Sequence, residues 1–351
     1  MGKFIQLHIL TNYGPANLNR DDLNRPKTVV VGGVQRLRIS SQCLKRAWRT
    51  SEIFESTLKG HIGTRTKVMG SKIYDELKKA GVKEKDAKEW AIKIAGIFGK
   101  IKKEDKNKPN KALEIEQLVH FSTDEITAIN ALVKKMIDRK SGPTDEELKL
   151  LQKNRGAADI AMFGRMLADN PIYNAEAAVQ VAHAFTVHKA AIEDDYFSAV
   201  DDLNKHEEHA GSGHIGEAEF GAGLFYLYVC IDRELLKSNL NNNAELTAKA
   251  IKALVESVAT VSPTGKQNSF ASRAYASYIL AEKGDKQPRS LATAFLKPIS
   301  GENMLGSAID KVKEIREMFN KIYGDTTKPY ELNAEHGTGK LGELQDYCAE
   351  E

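Results

Sequence analysis

Cysteine is scarce in this chain of 351 residues: Cys43, Cys230 and Cys348 are the three, and they stand far apart. Such spacing excludes a disulfide framework and a zinc knuckle, and it points to a reducing cytoplasm. Long apolar runs are lacking too. No uncharged apolar stretch reaches the roughly 20 residues a spanning helix needs, so no membrane segment is expected. The opening MGKFIQLHIL carries one lysine and an apolar run broken by Gln6 and His8, the pattern of a strand rather than a signal peptide. Gln6 also occupies the place where a myristoylation signal needs Ser or Thr. GIFGK and PTGKQ lack the spacing of a phosphate-binding loop. His206, His209 and His214 lack the i, i+4 spacing of a metal-binding helix, and a Gly-Ser segment divides them. Ser41 and Lys45 stand one turn apart with no third group beside them. No catalytic constellation, metal or cofactor is therefore expected.

Charge is plentiful and unevenly placed. The total is +3, yet residues 1–111 carry 25 basic against 11 acidic side chains, a balance of +14, and the remainder carries 26 against 37, a balance of −11. With 41% hydrophobic and 28% charged residues, the chain buries a sizeable core and is too apolar to be disordered.

Periodicity gives the order of elements. Lys3 to Thr11 sets Ile5, Leu7 and Ile9 on one face at period two, a half-buried strand. Short β-like runs at Thr28 to Val31 and Arg36 to Ile39 flank Gly32-Gly33, and a helix begins after Ser40, its expected N-cap. From about Gly60 to Asn154 the pattern is helical and highly charged, broken at Gly81, Gly99, Pro109 and Gly142-Pro143. Strands are expected at Ala178 to His188, Phe220 to Ile231 and Ala274 to Ala281, and helices at Glu245 to Val261 and Met304 to Tyr323. Glu193 to Glu219 is a polar excursion with aromatics at its start. Without its insertions the chain reads β, α, β, β, α, β, an α+β fold with the ferredoxin-like order shared by RNA-recognition domains.

The segment RISSQCLKRAWR is the most informative. Gln42, Lys45, Arg46 and Arg49 form one polar stripe at i, i+3, i+4 and i+7 beside Leu44, Ala47 and Trp48. Three cations near a helix start oppose its dipole, a cost that a bound anion reverses. Free N–H groups, the Ser40 and Ser41 hydroxyls and that stripe make a phosphate cradle; spacing alone leaves a solvated amphipathic face equally open. Arg20, Arg25, Lys27, Arg36 and Arg38 lie upstream and extend the patch if the strands bring them to one face. The lysines between Lys59 and Lys111 read mainly as a solvated surface. Tyr196 and Phe197 have the composition of base-stacking residues or of a small core under a loop, and Met166 reads more readily as core than as wedge.

LNRDD at 18–22, GG-x-x-R-x-RISSQ-x-LKRA-x-R from Gly32 to Arg49, DIA-x-x-GRM ending at Met166, AHA at 182–184, FSAVDDL at 197–203 and GAGLFY at 221–226 together resemble the CasC family, the backbone subunits of type I-E CRISPR Cascade complexes in the RAMP superfamily. The resemblance implies an RNA-recognition-like palm (1–58 and 175–330), a helical fingers insertion (59–174), a β-hairpin thumb (193–219) and a C-terminal tail (331–351). It implies several copies polymerised head-to-tail along a CRISPR RNA (crRNA), with other Cascade subunits, and target DNA recognised by pairing with the guide. Arg20, Lys27, Ser40, Gln42, Lys45, Arg46, Arg49 and Lys266 would then hold the RNA backbone, and Met166, Tyr196 and Phe197 would displace or stack bases. Tyr196 stands where the family usually has tryptophan. Specificity would reside in base pairing rather than in the protein. Two other readings remain: a metal-dependent endoribonuclease of type III character using Asp21 or Asp22, and a general single-strand RNA-binding protein.

Overall fold

The computed structural model describes residues 2–105, 109–152, 156–199, 214–324 and 328–350. Phe4–Ala16 forms the first strand, with Ile5, Leu7 and Ile9 fully buried as their alternation requires. The opposite face is covered as well, contrary to a half-buried strand: Gln6 is 4% and His8 1% exposed. Hydrogen bonds make that burial tolerable. Gln6 Oε1 accepts from the Tyr228 hydroxyl at 2.9 Å and from the Arg289 N–H at 2.7 Å. His8 Nδ1 lies 2.9 Å from the Tyr226 hydroxyl, and its Nε2 lies 3.3 Å from Glu282.

Edge to edge, the main sheet runs Tyr330–Asn333, Ala276–Gly284, Phe4–Ala16, His214–Asp232, Ala184–Thr186, Val34–Ile39 and Thr28–Val31. If Phe4–Ala16, Ala184–Thr186, His214–Asp232 and Ala276–Gly284 are counted one to four along the chain, they lie side by side as four-one-three-two, the ferredoxin-like arrangement. The Phe4–Ala16 and Ala276–Gly284 strands are antiparallel, from Phe4 opposite Gly284 to Ile9 opposite Ile279. The region expected as one strand, Ala178 to His188, is two short ones, Val179–Val181 and Ala184–Thr186. Glu193–Ala199 pairs antiparallel with the start of the 19-residue strand His214–Asp232, from Glu193 opposite Phe220 to Ala199 opposite His214.

Two units of chain pack within themselves: Met1–Phe54 with Gln180–Ile231 and Ile251–Glu351, and Glu55–Val179 with Asp232–Ala250. The first holds the sheet. Its C-terminal part carries the strand Tyr330–Asn333 and the helix Leu341–Ala349, which buries Leu344 and Cys348, where the sequence suggests a tail.

The second unit is mainly helical, with Met69–Lys79, Glu84–Gly96 and Thr123–Arg139 closing over Ile73, Leu77, Ile94, Phe98, Phe121 and Met136. A two-stranded ladder, Thr64–Thr66 with Val119–Phe121, also belongs to it. The expected break at Gly81 falls just past the first of these helices, in the left-handed region (φ +84°). Among the described residues no helix is long and apolar enough to cross a membrane, and the three cysteines are free thiols.

Candidate nucleic-acid interface

The basic helix is Ser41–Arg49, nine residues long. Ser40 caps it as expected: its backbone is extended (ψ 147°), and its hydroxyl accepts from the Cys43 N–H at 3.4 Å. Leu44 and Trp48 face the core, Gln42 and Arg46 are exposed, and Lys45 and Arg49 are half-buried. Burial pulls the Lys45 ammonium below its ordinary pKa. The helix ends sooner than an opposed dipole requires. Arg46 and Arg49 fall in its last turn, where cations are favoured, so the cost expected from the sequence does not arise for them.

A short loop joins this helix to its surroundings. Asn19 Oδ1 accepts the Ser40 N–H at 2.9 Å, and the Asn19 carbonyl accepts the Lys27 N–H at 2.9 Å. Asn17 Nδ2 donates to the carbonyls of Asn24 at 3.0 Å and Glu219 at 2.8 Å, tying the loop to the base of the hairpin. Arg25 Nε adds an ion pair to Glu219 at 3.2 Å. Within the loop, Asp21 Oδ1 accepts from the N–H groups of Leu23 and Arg25, each at 2.9 Å, and Arg20 bridges Pro26. Lys266 belongs to the same region. A Cβ on Gly265 would lie 2.2 Å from the Leu18 carbonyl oxygen, so only glycine lets the Lys266 segment approach this closely.

Lys27 is half-buried between two groups whose titration it influences. Burial pushes the Cys43 thiol up, and Lys27 partly offsets this. Burial, then Arg38, then Lys27 hold the His183 imidazole below its ordinary value. Arg38 donates to His183 Nδ1 at 2.7 Å and to the Thr28 carbonyl at 3.2 Å. The structure thus brings Arg20, Lys27, Ser40 with its helix, and Lys266 around one loop, and adds Arg38 and His183. Arg36 is not part of the patch. It is fully buried and donates to the carbonyls of Thr186 at 2.9 Å and Phe295 at 3.0 Å. Alternation along Val34–Ile39 sends its side chain inward, as it does that of its neighbour on one face, Arg38, only in part.

On the hairpin, Tyr196 is 64% and Phe197 43% exposed, so neither forms a core beneath a loop. Phe197 lies across Gly216, where a Cβ would meet its ring at 2.4 Å. Asp194 faces Glu219 and Tyr196 faces Glu217, which puts three carboxylates on one side of the ladder. Asp201, Asp202, His206 and His209 lie outside the described residues.

Met166 belongs to the helical unit and is not core: it is 73% exposed. Its neighbours explain why. Arg165 is buried in an ion pair with Glu125 at 2.6 Å and donates to the carbonyls of His120 and Tyr173. Leu167 is 2% exposed, and its N–H donates to Asn174 Oδ1 at 2.6 Å. Asp159, which opens the same motif, pairs with His120 Nε2 at 2.7 Å. The anchored residues of DIA-x-x-GRM are structural, and they hold Met166 outward. Sequence reasoning missed Asn17 and Asn19, whose one signal was an asparagine-rich turn.

The chain belongs to the CT1975-like protein family, whose model matches residues 5–346. It is similar to a chain of a solved structure described as a CRISPR RNA-guided surveillance complex, pre-nicking, with 29% identity, 99% of each chain covered and a TM-score of 0.87. A chain of a second structure, a CRISPR RNA-guided surveillance complex, shares the fold at a TM-score of 0.61, with 24% identity over 97% of this chain and 92% of that one. No curated protein matches the chain.

Proposed function

We propose that the protein is a non-catalytic backbone subunit of a type I-E-like CRISPR surveillance complex. The observation that carries this reading is the match, over 99% of both chains, to a subunit of an RNA-guided surveillance complex. Several copies follow one another along a crRNA. In each, Arg20, Lys27, Gln42, Lys45, Arg46, Arg49 and Lys266 hold phosphates, while Ser40 shapes the helix start. The hairpin aromatics Tyr196 and Phe197, with Met166, displace or stack bases and leave the rest free to pair with target DNA.

Head-to-tail contact follows from the charge split. With Glu219 paired to Arg25, the Asp194 and Glu217 carboxylates on the same face suit the basic front of the next copy, a heterologous contact that extends rather than closes. An endoribonuclease reading would rest on Asp21 and Asp22, and the Asp21 carboxylate already serves the loop's own N–H groups.

RNA that co-purifies with the full chain tests the proposal. A uniform length with repeat-derived ends is expected; heterogeneous cellular RNA, or none, overturns it. Cleavage of complementary RNA in magnesium, lost in Asp22→Ala, would overturn the non-catalytic part.

A further inference from the structure

We propose that Lys27, Arg38 and His183 form a phosphate subsite whose occupation by RNA takes up a proton at His183, an inference that rests on the RNA-binding reading above. All three belong to the sheet-bearing unit, where Lys27 and Arg38 are half-buried and His183 is exposed. The fold brings them together from remote stretches of chain. Arg38 pairs with Phe185 and Ile39 with Ala184. His183 comes just before this pairing and Ser40 just after it, so both leave the ladder at the end where the basic helix begins.

Arg38 is aimed before any ligand arrives. Its Nε donates to the Thr28 carbonyl at 3.2 Å, and its Nη1 lies 2.7 Å from His183 Nδ1. These bonds use two of the five N–H groups of a guanidinium, and three remain for the paired oxygens of a phosphate. An arginine can only donate, so His183 Nδ1 accepts, which puts the proton of the neutral imidazole on Nε2. Among the described residues Nε2 makes no hydrogen bond, and its N–H is a second donor beside the Arg38 fork.

The charge around this pair is one-sided. Partial burial, then Arg38 and Lys27, hold the imidazole below its ordinary value of 6.5. Among the described residues no carboxylate pairs with Lys27, Arg38 or His183, unlike Arg25, which meets Glu219 at 3.2 Å. The other titratable neighbours bring no negative charge. Cys43, which faces Lys27, is kept protonated by burial, and the Tyr228 hydroxyl on the adjoining strand donates to Gln6 instead. A phosphate seated here supplies the missing anion and stabilises the imidazolium, so the His183 value rises on binding. On protonation Nδ1 ceases to accept from Arg38, and both side chains donate to the same phosphate. Affinity therefore strengthens as pH falls through the RNA-bound value, and it levels off below the lower value of the free protein.

Binding of oligouridine to the full chain tests the subsite, since uracil does not titrate near neutral pH. From about pH 7.5 to about pH 5.5 at constant ionic strength, affinity should rise about threefold or more, within the limit of about tenfold per pH unit for one proton. His183→Gln keeps an acceptor for Arg38 but no titrating ring. It should bind within about twofold of wild type at the upper pH and show no rise. In wild type, the His183 imidazole C–H resonance should titrate at higher pH with oligouridine than without it. A flat wild-type profile, an equal rise in His183→Gln, or an unmoved titration overturns the subsite and leaves RNA binding in place. Absence of RNA binding at every pH overturns the RNA reading and the subsite with it.

Discussion

Asn19 Oδ1 accepts the backbone N–H of Ser40 at 2.9 Å, fastening the basic loop to the residue that caps the basic helix. Asn19→Ala leaves that half-buried donor without its partner. A loss of about 1–2 kcal/mol in urea unfolding is expected, with a larger fall in RNA affinity because Lys27 and the helix lose their shared support. Equal affinity for wild type and variant would show that the two elements need no common anchor.

Replacing Lys45 and Arg49 together by alanine should weaken RNA binding and flatten its salt dependence. Each phosphate contact on a single strand contributes about 0.7 to the slope of log affinity against log salt, so a reduction of about 1.4 is expected. Filter binding across a salt series measures it. An unchanged slope would mean that these cations do not meet phosphates.

Arg36 and Arg38 should separate cleanly. Arg36→Met removes the donors that satisfy two buried carbonyls, and roughly 2–4 kcal/mol of stability should be lost. Arg38→Met should leave stability nearly intact and lower RNA affinity. Thermal unfolding and filter binding on both variants decide the assignment.

Arg165→Met strands the Glu125 carboxylate in the helical unit's core, and a loss of about 3–5 kcal/mol is expected. Met166→Ala, one residue on, should change stability by about 0.5 kcal/mol or less. Urea melts of the two variants should differ accordingly.

Acid should destabilise the sheet unit in two stages. Burial holds His8 below its ordinary value of 6.5, so an unfolded His8 takes up a proton that the folded one resists, and stability declines as pH falls below about 6.5. Burial opposes ionisation of Glu282, but His8 and then Arg289 outweigh it and bring the carboxyl down to about 2, and Arg316 pairs with it at 2.7 Å. Its contribution is complete above the ordinary carboxylate value and is lost as pH falls from there toward 2. Urea midpoints at stepped pH should fall in both windows; a flat profile between pH 7 and 5 would remove His8 from the account.

Much of the fold was legible because its signals are local. Alternation marked a strand over Lys3 to Thr11, which runs on through the expected turn to Ala16, β-like runs marked Thr28–Val31 and the Arg36 to Ile39 part of Val34–Ile39, and Ser40 marked the helix start. Other features escaped because they depend on partners distant in the chain. The buried state of Gln6 and His8 requires Tyr228, Tyr226 and Glu282, more than 200 residues away, and no periodicity encodes that. Arg36 and Arg38 carry the same charge two residues apart. Only the placement of Thr186 and Phe295 makes the first a core residue.

By itself the sequence determined the βαββαβ order, the capped basic helix and the basic front opposed to an acidic remainder, since these follow from residue type and spacing along one stretch of chain. Tertiary structure decided which cations lie on the surface, that asparagines 17 and 19 gather the loop, helix and hairpin base into one patch, and that Met166 projects while Leu167 is buried. The physical reason is that a side chain's exposure depends on what packs over it, and here those partners come from remote parts of the chain.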